Sequence, residues 1–282
     1  MTETHKIIYN YLNEGHTMTE TSCDLNVNYK TVEYVKRKYK LQVNKEITNH
    51  VNHHFLDNID SEIKAYFLGF FIADGYIGKE GRVTFSISKD DEIILHKFRE
   101  QLKVNSIEYC NDQKGVKYRK PQAKYRFTST ILRDCLKTKY NINSPKTYDY
   151  TFKFPFETIP EEFLGSFIRG LWDGDGSFES HGFVFNPTCS INSKIFAEQV
   201  GEIIKAHTGL DYKIYTIQGK TCIYNTLRLH ANRINKKEKV QKLYNFLYDN
   251  ATIFLQRKKD KVLRYLEYRA NSDVNKSEQC NA

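Results

Sequence analysis

The 282-residue sequence contains no stretch of eighteen or more apolar residues, which argues against a transmembrane helix and predicts no contact with a membrane. The first ten residues also lack the apolar segment of a signal peptide. We therefore expect an intracellular protein, either cytoplasmic in a bacterial or phage host or organellar. The six cysteines lie far apart and form no CxxC pair, which argues against a zinc site and favours reduced, mostly buried thiols.

Positive charge exceeds negative charge in this sequence, with 43 Lys and Arg against 34 Asp and Glu. The excess is concentrated in residues 228–264, which contain eleven basic and three acidic residues, and in residues 30–45, with six and one. Lysines there are interleaved with tyrosines, as in VEYVKRKYK, whereas a membrane-surface helix would need a broad apolar face. This distribution favours contacts with the phosphates of a nucleic acid.

The N-terminal residues 1–42 are predicted to form a small domain of three short helices with a tight turn before the last one, which is basic. In a helix-turn-helix motif, the N-terminal residues of the second helix face the bases of the major groove. An ordinary helical cap with a basic, solvated face is the alternative. The polar residues 43–60 are predicted to be a linker. The candidate DNA contacts on the recognition helix are Tyr29, Lys30 and Thr31.

The rest of the chain repeats itself at a spacing close to 101 residues. The segment AYFLGFFIADGYI at residues 65–77 corresponds to GSFIRGLWDGDGSF at residues 165–178, and the strands and helices predicted after each segment also correspond. Two copies of a unit of about a hundred residues indicate a pseudo-twofold fold. We place the first half at residues 61–153, the second half at residues 154–270 and a flexible tail at residues 271–282.

Each repeated segment contains a stripe of small residues four positions apart, which share one face of a helix. The stripes consist of Gly69 and Ala73 in the first half, and of Gly170 and Gly174 in the second. Glycine within a helix costs roughly 1 kcal/mol relative to alanine, so its presence suggests that two backbones approach closely. We expect the two motif helices to pack against each other along these stripes.

Each motif helix ends in Asp-Gly, with Asp74 in the first half and Asp175 in the second. The glycines are predicted to adopt the left-handed conformation that follows many helices. Carboxylates at the negative ends of two helices repel each other unless a cation lies between them, and oxygen ligands favour Mg²⁺ or Mn²⁺. Such a site suits phosphodiester hydrolysis, whereas two ordinary helix caps are the alternative. Asp173 corresponds to Ile72, so we interpret it as solvated or locally hydrogen-bonded.

The two motifs resemble those of the LAGLIDADG homing endonucleases in their single-chain form. FLGFFIADG at residues 67–75 and IRGLWDGDG at residues 168–176 match the nine-residue signature of that family. The resemblance implies an α+β fold of two αββαββα halves whose sheets form a DNA-binding saddle. It also implies that Asp74 and Asp175 coordinate the divalent metal ions and that both strands are cut across the minor groove.

The resemblance further implies one basic residue from each half near the metal-bound water. The stretch SPKTYDYTFKFP suggests Lys146 for the first half. The stretch TIFLQRKKDK suggests Lys258 for the second, with Lys259 and Arg257 as alternatives. A phosphate contact or a solvated charge is the other interpretation of each lysine.

We therefore predict a monomeric, site-specific double-strand DNA endonuclease. An RNA-binding intron maturase of the same fold is the first alternative, with RNA as its partner. A transcription factor that has lost catalysis is the second, although both aspartates are retained. Alternation along the predicted strands suggests which side chains face double-stranded DNA. These candidate contacts are Arg82, Thr84, Ser86, Arg126, Thr128, Lys213, Tyr215, Arg228 and His230.

Overall fold

The computed structural model describes residues 2–14, 18–41, 51–104, 107–110, 121–143, 149–219, 223–230 and 235–280. Its contacts divide the chain into two compact units, which are described separately below. The first unit comprises residues 1–51 and 103–105, and the second comprises residues 52–102 and 106–282. Among the described residues, no helix combines the length and the apolar character needed to cross a membrane.

The described part of the N-terminal unit contains three helices, as predicted: α1 (Glu3–Asn13), α2 (Met18–Asp24) and α3 (Tyr29–Lys38). The turn before α3 contains Asn26, whose φ of 49° is left-handed, a conformation that asparagine tolerates better than most residues. Asn28 then caps α3, since its side chain accepts a hydrogen bond of 2.9 Å from the backbone N–H of Lys30. The helices enclose a small core of Ile8, Leu12, Val32 and Val35.

The second unit consists of two consecutive αββαββα repeats, which confirms the fold class. The first repeat contains α4 (Glu62–Asp74), β1 (Gly75–Ile77), β2 (Arg82–Ser88), α5 (Ile93–Leu102), β3 (Ile107–Cys110), β4 (Gln122–Thr128) and α6 (Thr130–Tyr140). The second repeat contains α7 (Glu161–Asp175), β5 (Gly176–His181), β6 (Val184–Ile191), α8 (Lys194–Thr208), β7 (Asp211–Gln218), β8 (Ile223–His230) and α9 (Lys236–Tyr248). A final helix, α10 (Gln256–Cys280), follows the second repeat.

Each repeat forms one four-stranded antiparallel sheet, with strand order β1-β2-β4-β3 in the first and β5-β6-β8-β7 in the second. The registers also correspond: Thr84 lies opposite Arg126 in the first sheet, and Thr188 lies opposite Arg228 in the second. Side chains alternate between a buried and an open face along the central strands. The two halves therefore present matching open faces.

An aromatic cluster forms the core of the first half. The ring of Phe67 on α4 lies 4.8 Å from that of Phe98 on α5 and 5.4 Å from that of Phe85 on β2. These edge-to-face distances are within the favourable range for aromatic pairs. Helix α4 is buried on nearly all sides because its own sheet covers one face and α7 covers another.

Two stretches differ from the sequence prediction. Within the predicted linker, Phe55 and Leu56 are buried, and the ring of Phe55 packs 5.2 Å from that of Phe67. The hydroxyl of Tyr140 also donates a 2.7 Å hydrogen bond to the carbonyl of Leu56, so this part of the chain belongs to the core. The predicted flexible tail from residue 271 onward is helical as far as Cys280, since α10 continues through it.

Candidate active site

The motif helices α4 and α7 pack against each other along their glycines. A Cβ atom on Gly69 would lie 2.0 Å from the carbonyl oxygen of Phe167, and one on Gly170 would lie 2.1 Å from that of Tyr66. Real Cβ atoms do not approach other atoms this closely, so no larger residue fits at either position without separating the helices. The two contacts are reciprocal, which confirms the predicted pseudo-twofold seam.

The seam continues to the C-terminal ends of both helices. A Cβ atom on Gly174 would lie 2.3 Å from the Cβ of Ala73 and 3.0 Å from the carboxylate Oδ2 of Asp74. The carboxylate of Asp74 therefore lies beside the residue that precedes Asp175. Both aspartates are exposed on the helix ends. The structure thus brings the two predicted metal ligands to one location.

The glycines after the aspartates do not have the left-handed conformation that was predicted. Gly75 has φ of −75° and Gly176 has φ of −88°, both in the extended region. Their lack of a side chain matters for a different reason, which is close packing. A Cβ atom on Gly75 would lie 2.3 Å from the ring of Phe71, and one on Gly176 would lie 2.3 Å from the ring of Trp172.

Asp173 is neither solvated nor locally hydrogen-bonded, in contrast to its interpretation from sequence. It is 1 % exposed and accepts hydrogen bonds from the Tyr66 hydroxyl at 2.9 Å and from the backbone N–H of Leu255 at 2.8 Å. Burial raises the pKa of its carboxyl group to about 6. Asp173 therefore links both motif helices to the segment that leads into α10.

A second buried polar contact lies at the other end of the helix pair. Arg169 on α7 forms an ion pair with Glu62, the first residue of α4, and its Nε donates a 2.8 Å hydrogen bond to the carbonyl of Ile253. Glu62 in turn accepts a 2.9 Å hydrogen bond from the backbone N–H of Thr252. Sequence reasoning missed this contact, although an arginine where the first motif has Leu68 was an available signal.

Lys258, a predicted catalytic residue, is buried at the C-terminal end of α7. Its Nζ donates hydrogen bonds to the carbonyl oxygens of Trp172 at 2.7 Å and Gly176 at 2.8 Å, and also to those of Asp173 and Gly174. The carbonyl of Trp172 also accepts from the backbone N–H of Gly176, whereas those of Asp173 and Gly174 belong to the last turn, which lacks intrahelical partners. Burial lowers the pKa of the Lys258 ammonium group. The lysine therefore caps the turn that carries Asp175.

The alternative basic residues next to Lys258 are also engaged. Arg257 makes a two-pronged ion pair with Asp91, with N–O distances of 2.8 and 2.7 Å. The Nζ of Lys259 lies 4.3 Å from the centre of the Phe254 ring, a cation–π contact. Lys146 lies outside the described residues, so its role stays a prediction.

A cavity of about 100 Å³ adjoins Asp175. Ala73 and Leu171 of the motif helices line one part of it, and the polar side chains of Asp149 and Asn192 line another. In the parts of the chain that the structure describes, no three His, Cys, Asp or Glu residues are grouped as a metal site. Two carboxylates still suit Mg²⁺, because this ion keeps several waters and binds through one or two carboxylates plus substrate phosphates.

The strand residues predicted to contact DNA lie on the open faces of the two sheets. In β2, Arg82, Thr84 and Ser86 alternate with buried residues, and the β4 candidates follow the same pattern. In the second sheet, the guanidinium of Arg228 lies 5.4 Å from the centre of the Tyr215 ring. All nine candidates are exposed or half-exposed. The predicted alternation is therefore confirmed in β2, β4 and β8, whereas β7, which carries Lys213 and Tyr215, has no buried residue. Contact with DNA stays a prediction.

The recognition-helix candidates lie in the first turn of α3. Tyr29 and Lys30 are exposed there and Thr31 is half-exposed. One turn further, the Nζ of Lys38 lies 5.3 Å from the centre of the exposed Tyr34 ring. This surface combines basic and aromatic side chains, as the sequence predicted.

The fold is α+β and consists of two αββαββα halves. Their motif helices, α4 and α7, pack along their glycines, and each ends in an aspartate. Residues 162–245 match the family described as the LAGLIDADG-like domain. This match includes the motif at residues 168–176 and agrees with the family resemblance of that motif, whereas the motif at residues 67–75 lies outside the matched segment. The matched segment begins within α7 and extends into α9.

Comparison with known proteins gives more distant similarities. The chain is 26% identical over 196 residues to the DNA-directed RNA polymerase subunit Rpo1C of Methanocaldococcus jannaschii, covering 67% of this chain but only 21% of that protein. Full-length DUF199/WhiA from Thermatoga maritima has a TM-score of 0.46 and 17% identity, covering 83% of this chain and 72% of that one. I-DmoI, solved with DNA and Ca, has a TM-score of 0.40 and 16% identity, covering 65% and 90%. These structural similarities concern the fold alone.

Proposed function

We propose that the protein is a monomeric, site-specific endonuclease that cuts both strands of double-stranded DNA. The observation that carries this proposal is the position of Asp74 and Asp175, which are exposed at adjoining helix ends on a seam that only glycine permits. Two carboxylates beside two negative helix ends concentrate negative charge at one point. Divalent cations that also bind phosphate oxygens offset such charge.

Asp74 and Asp175 are the residues that would hold Mg²⁺ or Mn²⁺ at this point. When bound, such an ion lowers the pKa of water and stabilises the leaving oxygen of a phosphodiester. The protein's own contribution is to fix the two carboxylates through the packed helices. Because the described residues offer two carboxylates and no larger ligand cluster, phosphate oxygens of the DNA would complete the coordination.

DNA binding is assigned to the open faces of the two sheets and to the first turn of α3. Arg82, Arg126 and Arg228 supply positive charge on the sheets, and Lys30 supplies it on α3. Contacts of these groups with phosphates would make binding weaken steeply as salt increases. The polar side chains between them would read base edges in the grooves.

The test compares Asp74→Asn and Asp175→Asn with the unchanged protein. A duplex substrate is first selected by binding from a randomised library, and cleavage is then measured in Mg²⁺. Each variant should retain duplex affinity in Ca²⁺ and lose cleavage by at least a hundredfold, in line with the loss of a group that stabilises the transition state. Asp134→Asn, which changes an exposed aspartate on α6, is the matched control and should cleave normally.

The outcome that contradicts the site assignment is cleavage that persists in both variants. Loss of duplex binding in Ca²⁺ would contradict it as well, because the aspartates are assigned to the metal and not to DNA recognition.

Sequence-specific DNA binding without cleavage is the second candidate function. It is favoured by the three basic residues in the first turn of α10, since Lys258, Arg257 and Lys259 all have partners within the protein. Selective duplex binding by an unchanged protein that cuts no selected duplex in Mg²⁺ or Mn²⁺ would support this candidate. An intron-splicing assay in parallel would reveal the RNA-binding alternative.

A further inference from the structure

Lys258 lies where a helix end most needs positive charge. The carbonyls that follow Trp172 have no partner within α7, and they carry the negative end of its dipole. The Nζ of Lys258 donates to four carbonyls at this end, from Trp172 to Gly176. Asp175 lies within this same turn, so the lysine determines where the backbone of Asp175 is held.

We propose that Lys258 is a positioning residue, which acts through Asp175, and not a group that faces the scissile phosphate. This inference rests on the proposed function, because it concerns how the metal-binding carboxylate is presented. Three ammonium hydrogens are already shared among four carbonyl oxygens, so the group has no hydrogen left to donate to a water on the metal. Its contribution is to keep the Asp175 turn fixed and to offset the charge around it.

The segment before Lys258 is anchored to both motif helices, which explains how the lysine keeps its place. The backbone N–H of Leu255 donates to Asp173 on α7, and Asp173 accepts a second bond from Tyr66 on α4. Three residues earlier, the backbone N–H of Thr252 donates to Glu62, the first residue of α4. The position of Lys258 is therefore determined by the helix pair and not by a free loop.

This anchor is absent from the corresponding positions of the first half. The counterparts of Tyr66 and Asp173 in the repeat are Phe167 and Ile72, which have no polar side-chain atoms. The hydrogen bond between Tyr66 and Asp173 is therefore specific to one half, and it supports the turn of α7 that carries Asp175.

The test is the dependence of single-turnover cleavage on Mg²⁺ concentration for Lys258→Met, which keeps most of the side-chain length but removes the charge. Loss of a supporting contact to a metal ligand typically weakens metal affinity roughly 10- to 100-fold. We expect the Mg²⁺ concentration for half-maximal rate to rise by about tenfold or more, while the rate at saturating Mg²⁺ stays within about threefold of the unchanged protein.

Other outcomes would overturn the proposal. A lower saturating rate with an unchanged Mg²⁺ requirement would show that Lys258 acts directly in the chemistry. A lower Mg²⁺ requirement would show that the lysine merely repels the cation, since removing a nearby positive charge favours metal binding.

Three further variants separate positioning from general loss of structure. Lys258→Arg keeps donors for the carbonyls and should restore most of the Mg²⁺ dependence. Tyr66→Phe removes only the hydroxyl that Asp173 accepts from and should shift the Mg²⁺ dependence in the same direction as Lys258→Met, by a smaller factor. Lys194→Met, which removes an exposed cation on α8, should behave like the unchanged protein.

A measurement without metal or DNA keeps this proposal distinct from the nuclease proposal. Hydrogen–deuterium exchange of the backbone amides of residues 174–176 should be faster in Lys258→Met than in the unchanged protein, with no change in α4. Unchanged exchange at these amides would overturn the positioning role even if the protein cleaves DNA. Faster exchange in a protein that cuts no DNA would leave the positioning of Asp175 established and refute only the proposed nuclease.

Discussion

The glycine seam makes a quantitative prediction for Gly170→Ala. The added Cβ would lie 2.1 Å from the carbonyl oxygen of Tyr66 and 2.9 Å from the backbone nitrogen of Phe70, and neither backbone atom can rotate away. Normal contacts exceed 3 Å, so α4 and α7 would have to separate by roughly 1 Å, which breaks the packing along their whole length. Overpacking of a core typically costs about 1–3 kcal/mol, and this site belongs at the upper end.

Helix propensity acts in the opposite direction, because alanine is favoured over glycine by about 1 kcal/mol within a helix. The expected net loss in the free energy of unfolding is therefore about 2 kcal/mol, which urea denaturation followed by circular dichroism can resolve. Gly78→Ala is the matched control, since its nearest neighbouring atoms are 3.8 Å away and no loss is expected. If Gly170→Ala were as stable as the unchanged protein, or more stable, the close approach of the two helices would be refuted.

Three other predictions follow from the ion pair between Glu62 and Arg169, from the positive charge on the open sheet faces, and from the two carboxylates proposed as metal ligands. Arg169→Met should lower the free energy of unfolding by about 3 kcal/mol, because it leaves the half-buried carboxylate of Glu62 without its cation and two carbonyl oxygens without their donor; an unchanged urea midpoint would contradict this. Arg228→Ala should reduce the slope of log affinity against log salt by about one in Ca²⁺, and an unaltered slope would exclude a phosphate contact. EDTA should leave the thermal unfolding midpoint unchanged, since no structural metal cluster occurs among the described residues; a fall of several degrees would reveal one.

The architecture could be predicted from the sequence because its strongest signals are periodic. The 101-residue repeat identified both motif helices, and the alternation of Arg82, Thr84 and Ser86 predicted the open face of β2. The spacing of Gly69 and Ala73, matched by Gly170 and Gly174, predicted the seam, because only close helix packing explains glycine in those positions. Such features depend on local spacing, which a sequence displays directly.

The polar contacts could not be predicted, because they join residues that are far apart in the chain. Asp173 meets Tyr66 and Leu255, which are 107 and 82 residues away, and no local pattern indicates such pairs. The burial of Phe55 depends in the same way on Phe67, a residue of the motif helix. Helix α10 was missed from residue 256 onward because its high charge obscures the apolar face that packs on β5 and α9.

The Glu62–Arg169 pair limits how the two halves can be recombined. Replacing the second half with a copy of the first would put a leucine, the counterpart of Arg169, opposite Glu62 and would leave that half-buried carboxylate without its cation. Chimaeras between this protein and its relatives should therefore exchange Glu62, Tyr66, Arg169 and Asp173 together with the segment that leads into α10. The two halves are therefore not interchangeable, because the side chains that join them differ at matching positions of the repeat.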